Sequence, residues 1–81
     1  MSPILYVNRE SGHSYKVALA LRLMGVPYEQ RAVDLNLPRE QRAEDFRAAA
    51  LFGDVPVLVD EDGLAVCQSN AILDYAARRY A

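Results

Sequence analysis

The sequence predicts a small α/β fold whose elements follow the order strand, helix, strand, helix, strand, strand, helix. Short β-prone runs alternate with longer segments in which apolar residues recur at helical spacing. Glycine or proline stands where several of these segments end. An Asp-Gly pair separates the last two β-prone runs, which is typical of an antiparallel hairpin.

The first strand is predicted over Ile4–Val7, because this short apolar run is bounded by proline and by polar residues. A helix is predicted over Ser14–Met24. Its apolar residues are too many for one solvated face, so we expect it to be covered on more than one side. Gly25 is expected to end this helix with a positive φ, and Pro27 prevents its continuation.

The second strand is predicted over Tyr28–Leu35. Within it, Ala32 and Val33 are expected to face the core, and Arg31 and Asp34 the solvent. The remaining predicted elements are a thinly apolar helix, the two strands of the hairpin and a last helix with Ser69 as its N-cap: Pro38–Ala50, Val55–Val59, Leu64–Cys67 and Asn70–Tyr80.

This order implies a parallel pair in the first half and an antiparallel hairpin in the second. The predicted fold is therefore the thioredoxin-like plan βαβαββα, with a four-stranded mixed sheet and three helices.

Composition excludes several classes of function. The 81 residues are enough for one domain, and 52% apolar with 25% charged residues is typical of a globular protein. A net charge of −2 lacks the basic face that nucleic-acid binding requires, and no apolar run is long enough to cross a bilayer. One cysteine, Cys67, cannot form an internal disulfide and is expected to be a buried apolar residue, so a cytoplasmic location is expected.

Five motifs, taken in order, resemble the N-terminal domain of glutathione transferases over essentially the whole chain. The resemblance is closest to the serine-type zeta, theta and delta classes of bacterial type. It implies that residues 1–81 form the thioredoxin-like domain, with the helical C-terminal domain absent. It also implies glutathione as co-substrate, an electrophilic small molecule as second substrate, a homodimer and no metal ion. The motifs are Ile4–Tyr6, Ser11–Val17, Gly25–Glu29, Val55–Leu58 and Gln68–Ile72.

The Val55-Pro56 step resembles the family's cis-proline turn. The resemblance implies that the backbone N–H and C=O of Val55 pair with the cysteinyl part of glutathione, as an added antiparallel strand would. The alternative is an ordinary proline at the start of a strand.

Gln68 and Ser69 resemble the pair that holds the γ-glutamyl end of glutathione. Ser69 stands at a predicted helix start, where backbone N–H groups and the helix dipole favour a carboxylate. The alternative is that Ser69 is only the N-cap, although one hydroxyl can accept and donate at the same time.

Ser11 and Ser14 occupy the two cysteine positions of the thioredoxin redox motif, so dithiol chemistry and a glutaredoxin-like activity are not expected. The resemblance assigns to Ser11 the hydrogen bond that stabilises the glutathione thiolate, with Ser14 as the second choice. The alternative is that both serines only start a helix. His13, which has no evident carboxylate partner, is expected to be a solvent-exposed loop residue rather than a general base.

Asp54 departs from the family pattern, because it stands next to the turn where the glycyl carboxylate would lie and would repel it. Gln41 and Arg42 are candidates to bind that carboxylate instead, although a solvated helix face is the alternative.

Two functions follow from these observations. The first is the glutathione-binding part of a transferase, in which Ser11 activates the thiol. The second is a noncatalytic binding or interaction module, which Asp54 and the missing helical domain favour. In both cases we expect surplus apolar surface on the first and last helices to be covered by association, the last helix contributing Ile72, Leu73, Tyr75 and Ala76.

Overall fold

The computed structural model describes residues 2–8, 10–42, 44–50 and 55–80. Within them, four strands and three α-helices alternate as the sequence predicts, and the thioredoxin-like fold is confirmed. A short 3₁₀ turn, 39–41, precedes the second helix. The elements are β1 Ile4–Val7, α1 Gly12–Leu23, β2 Glu29–Ala32, α2 Glu44–Ala49, β3 Val57–Val59, β4 Ala65–Cys67 and α3 Ser69–Tyr80.

The sheet has the strand order β2-β1-β3-β4. β1 runs parallel to β2 and antiparallel to β3, and β3 pairs antiparallel with β4. The turn between β3 and β4 is closed by hydrogen bonds between Asp60 and the residues Gly63 and Leu64. Gly63 has φ 89°, which is the left-handed conformation that such a hairpin requires.

Each face of the sheet has its own apolar core. On one face α1 and α3 pack together over the strands, where Leu5, Leu21 and Ile72 are fully buried. On the other face, Tyr6 and Val57 pack against Phe46 of α2 and form the second core. The alternation of side chains along β1 explains the division, because Leu5 and Tyr6 point to opposite faces.

The end of α1 follows the predicted signal. Gly25 has φ 71°, and its N–H donates to the carbonyl of Arg22. The N–H of Val26 donates to the carbonyl of Leu21, which completes the two-bond Schellman arrangement.

Several predicted boundaries are wrong. α1 begins at Gly12 rather than Ser14, because Ser11 caps it. β2 ends at Ala32, and Ala32 is exposed rather than inward-facing because β2 lies at the edge of the sheet. The helix predicted over Pro38–Ala50 is a 3₁₀ turn followed by the six residues of α2. The two hairpin strands each lack the first residues that were predicted.

The prediction that α3 exposes surplus apolar residues is also wrong. Ile72 and Ala76 are buried, and Leu73 and Tyr75 are half-buried against the same core. Of the two helices, it is α1 that exposes large apolar side chains in the described residues, where Tyr15 is 69%, Leu19 42% and Leu23 79% exposed.

Asp60 holds the C-terminal half of α3 against the hairpin. Its side chain is only 2% exposed, and it accepts hydrogen bonds from the hydroxyls of Tyr75 and Tyr80. Arg79 Nε lies 3.6 Å from its second oxygen. Burial alone would raise the pKa of Asp60, but these donors outweigh that effect and the pKa of Asp60 is lowered.

The helices of the described residues are also too short or too polar for a transmembrane segment.

Candidate functional site

A cleft of about 390 Å³ opens where the N-terminal ends of α1 and α3 meet the turn before β3. It has the size of a small-molecule site. Five of the residues predicted from the sequence line it: Ser11, Val55, Pro56, Gln68 and Ser69. His13, Leu35, Cys67 and Asn70 complete its lining.

Ser11 and Ser14 have different environments. Ser11 is half-buried at the cleft, and its Oγ accepts the N–H of Ser14 at 3.1 Å, so it is the N-cap of α1. Its hydroxyl hydrogen can still donate. Ser14 is 2% exposed, does not belong to the described lining of the cleft, and accepts the N–H of Asn8 at 3.3 Å. The geometry therefore favours Ser11 over Ser14 as a residue that meets a ligand.

The start of α3 differs by one residue from the prediction. The carbonyl of Gln68 accepts the N–H of Ile72 at 2.9 Å, so Gln68 is the N-cap and Ser69 is the first helical residue. Gln68 has φ 75°, a conformation that residues other than glycine rarely adopt and that costs on the order of 1 kcal/mol. Such conformations are concentrated at functional sites.

Ser69 is buried and its Oγ lies 3.4 Å from Nδ1 of His13. His13 is exposed, as predicted, but it lies in the first turn of α1 and lines the cleft, so the prediction that it is a loop residue is wrong. A contact between two helices 56 residues apart leaves no pattern in the sequence, so the prediction could not have included it.

The cleft favours a negatively charged group. Two helices of 12 residues, α1 and α3, direct their N-terminal ends at it, and neither carries an acidic residue in its first turn. Unpaired backbone N–H groups and the positive ends of both helix dipoles attract a carboxylate or a thiolate.

The opposite wall is formed by the residues around Pro56. The peptide bond between Val55 and Pro56 is cis, the conformation expected at this step, and Pro56 is buried. Val55 lies two residues before the first paired residue of β3. Cys67, expected to be buried, is half-buried, and its thiol lies 3.7 Å from the carbonyl of Ala49.

One predicted site residue, Gln41, is not at the cleft in the described structure, and another lies outside the described residues. Gln41 is exposed at the end of the 3₁₀ turn and is not part of the lining in the described part of the chain. Asp54 lies outside the described residues. Arg42 donates to the carbonyls of Leu35 and Leu37 at 3.3 and 3.2 Å, so it supports the loop that brings Leu35 to the cleft.

Comparison with known proteins identifies the family of this chain. Residues 10–79 match the family "Glutathione S-transferase, N-terminal domain". A maleylacetoacetate isomerase of Rhizobium meliloti is 43% identical over 74 residues, covering 91% of this chain and 34% of the isomerase. The transcriptional regulator URE2 of Saccharomyces cerevisiae is 33% identical over 78 residues, covering 94% of this chain and 22% of the regulator.

A solved structure of Ure2p in complex with glutathione superposes with a TM-score of 0.87 at 30% identity, covering 98% of this chain and 36% of that one. The chain thus spans about a third of these relatives or less. The motifs suggest three serine-type classes, and the similarity to the isomerase supports the zeta-like class among them. Because the family model matches 70 of the 81 positions, and the fold and the order of the motifs agree with it, the chain belongs to the family of glutathione S-transferase N-terminal domains.

Proposed function

We propose that this chain binds glutathione in the cleft between α1, α3 and the Val55-Pro56 turn, and that Ser11 stabilises the bound thiol as a thiolate. The observation that carries the proposal is the convergence of Ser11, Val55, Gln68 and Ser69 on one cleft. Glutathione has a thiol, an amine and two carboxylates. The polar residues and helix ends that line the cleft offer a complementary partner for most of these groups.

The γ-glutamyl carboxylate is assigned to the first turn of α3. The backbone N–H groups there are the ones a helix leaves unpaired, and Ser69 adds a hydroxyl donor beside them. Gln68 precedes this turn and supplies an amide for the γ-glutamyl amine. The solved complex of Ure2p with glutathione, which shares this fold, supports glutathione as the ligand.

The thiol is assigned to Ser11. Its Oγ already accepts one hydrogen bond from the backbone, which leaves its hydrogen to point at the ligand sulfur. The positive end of α1 favours the thiolate at the same place. A thiolate formed there is the nucleophile that a transferase requires for attack on an electrophilic small molecule.

The cysteinyl backbone is assigned to Val55, whose N–H and C=O would pair with the ligand as an additional strand. For the glycyl carboxylate, Asp54 would be an unfavourable neighbour because of its charge. Gln41 would have to reach the ligand from the turn that precedes α2, outside the described lining of the cleft.

The proposal is tested by calorimetric titration of glutathione into the chain and its Ser69→Ala variant. Loss of one hydrogen bond to a charged group costs about 1.5 to 3 kcal/mol, so we expect binding to weaken at least tenfold. Asp74→Ala, at an exposed position further along α3 and outside the described lining of the cleft, is the control and should bind within about twofold of the parent. A folded Ser69→Ala variant that binds as tightly as the parent would show that the assignment of Ser69 is wrong.

A second candidate function is a noncatalytic binding module. Similarity to the transcriptional regulator URE2 favours it. Under either function, the exposed stripe Tyr15, Leu19 and Leu23 on α1 offers a continuous apolar surface, because residues four apart lie on one face of a helix. We propose that this stripe joins two copies of the chain in a homodimer. The two functions differ in whether bound glutathione reacts with an added electrophile.

A further inference from the structure

The N-terminal parts of α1 and α3 are joined side by side at the cleft. His13 Nδ1 lies 3.4 Å from Ser69 Oγ, and Lys16 Nζ donates to Asn70 Oδ1 at 3.3 Å. His13 and Ser69 line the same cleft, so the hydroxyl proposed to bind the ligand carboxylate already has a partner in the protein.

The direction of this hydrogen bond decides what Ser69 can offer a ligand. A hydroxyl has one hydrogen and a neutral imidazole has one protonated nitrogen. If Nδ1 is the acceptor, the Ser69 hydrogen points at His13 and only its lone pairs face the cleft. If Nδ1 carries the hydrogen, it donates to Ser69 Oγ, and the hydroxyl hydrogen becomes available to an anion.

A carboxylate distinguishes between these two arrangements because it can only accept hydrogen bonds. In the second arrangement the donors form a chain from imidazole to hydroxyl to carboxylate, and each bond polarises the next. Lone pairs facing the carboxylate, as in the first arrangement, would repel it. The ligand therefore selects the arrangement in which His13 donates.

We propose that His13 is a positioning residue for anion recognition: by donating from Nδ1 to Ser69 Oγ, it directs the Ser69 hydroxyl hydrogen at the α-carboxylate of a γ-glutamyl ligand. This inference rests on the proposed glutathione site, and it concerns specificity for one of the two carboxylates of the ligand.

The test is a double-mutant cycle of His13→Ala and Ser69→Ala, with binding measured by NMR titration. Two probes are used: glutathione, and the analogue in which 4-aminobutyrate replaces the γ-glutamyl residue and so lacks its α-carboxyl group. His13→Ala is expected to weaken glutathione binding about fivefold to tenfold. The same substitution should weaken binding of the analogue by less than about twofold. It should also weaken glutathione binding by less than about twofold when Ser69 is already alanine.

His13→Asn provides a rescue, since its side-chain amide can donate at about the position of Nδ1. It should bind glutathione within about twofold of the parent. Thermal unfolding of each variant establishes that the comparison is between folded proteins.

Several outcomes would overturn the inference. His13→Ala could bind glutathione as tightly as the parent, or it could weaken binding of the analogue as much as binding of glutathione. The effect of His13→Ala could also add in full to that of Ser69→Ala. Finally, His13→Asn could fail to restore glutathione binding. If Ser69→Ala still weakens glutathione binding in these cases, the proposed function stands and only the role of His13 falls. If the parent chain binds no glutathione, both fall together.

Discussion

Two serines three residues apart have separate tasks at the start of α1. Ser14 is buried and bonded to the backbone of Asn8, which ties the helix to the loop after β1. Ser11 caps the helix and reaches the cleft. Because one hydroxyl is enclosed and the other borders the cleft, substitution of each should affect a different property.

Removal of the Ser11 hydroxyl should change the chemistry of bound glutathione. We expect Ser11→Gly to raise the pKa of the bound thiol by about one to two pH units, since a charge-assisted hydrogen bond contributes about 1.5 to 3 kcal/mol. Glycine is chosen because it replaces serine at an N-cap at a cost of only a few tenths of a kcal/mol, roughly. The pKa is measured from the ultraviolet absorbance of the thiolate at saturating glutathione.

Ser14→Ala is the matched comparison for this experiment. It should lower the free energy of unfolding by about 1 to 3 kcal/mol, because the Asn8 N–H loses its partner, and leave the thiol pKa unchanged. A thiol pKa that moves in the Ser14 variant and not in the Ser11 variant would reverse the two assignments.

Helix α3 depends on a charged group at the other end of the molecule from the cleft. Asp60, in the hairpin turn, is the common acceptor for Tyr75 and Tyr80. Burial and the hydrogen bond to Asp60 raise the pKa of Tyr80. The hydrogen bond to Asp60, followed by burial, raises the pKa of Tyr75. One carboxylate thus fixes the last two turns of the helix whose first turn forms the site.

Replacement of this carboxylate should therefore destabilise the fold. We expect Asp60→Asn to lower the free energy of unfolding by about 1.5 to 3 kcal/mol, the range for hydrogen bonds to a charged group. The measurement is urea unfolding at neutral pH. Glu61→Gln, an exposed carboxylate in the same turn, is the control and should change the free energy by less than about 0.5 kcal/mol.

The same carboxylate predicts an acid limit to stability. The pKa of Asp60 is lower in the folded chain than its ordinary value of about 3.9, so the unfolded chain binds more protons below that pH. Its contribution is complete above about pH 4 and is lost as the pH falls through the folded pKa. The free energy of unfolding should fall less steeply below about pH 4 in Asp60→Asn than in Glu61→Gln, and equal slopes would contradict this role.

The exposed apolar surface of α1 predicts self-association of the chain. With Tyr15, Leu19 and Leu23 exposed on one face of α1, we expect self-association that rises with concentration. Analytical ultracentrifugation over a concentration series measures it. Leu19→Lys should yield a monomer, whereas Ala77→Lys, on the exposed face of α3, should not change the parent's behaviour. A parent that stays monomeric throughout would show that the stripe does not join two copies.

The fold could be predicted from sequence because its signals are local. The spacing of the apolar residues and the positions of the turn residues define the element order. Gly25 and Gly63 take the positive φ that their positions require. The start of α1 could not be found by periodicity, because Gly12 and His13 are not apolar. The exposure of Ala32 depends on β2 being an edge strand, which only the assembled sheet shows.

The site was predictable where a motif marks it and not elsewhere. Ser11, Val55 and Ser69 belong to motifs and line the cleft. His13 belongs to the motif Ser11–Val17, but its contact with Ser69 joins segments 56 residues apart and has no short-range signal in the sequence. Leu35 belongs to none of the motifs and reaches the cleft through the folded chain. The N-cap at Gln68 rather than Ser69 depends on a backbone conformation that glutamine rarely adopts, so residue preference pointed to the serine.

The central claim, that this chain binds glutathione at the joined helix ends, is tested most directly by following its backbone amide signals by NMR during addition of glutathione. We predict saturable shifts confined to the residues around Ser11, Val55 and the first turn of α3, with the exposed face of α1 at Leu23 unchanged. Oxidation-resistant S-hexylglutathione should displace glutathione from the same signals. No saturable shift, or shifts centred away from the cleft, would contradict the account.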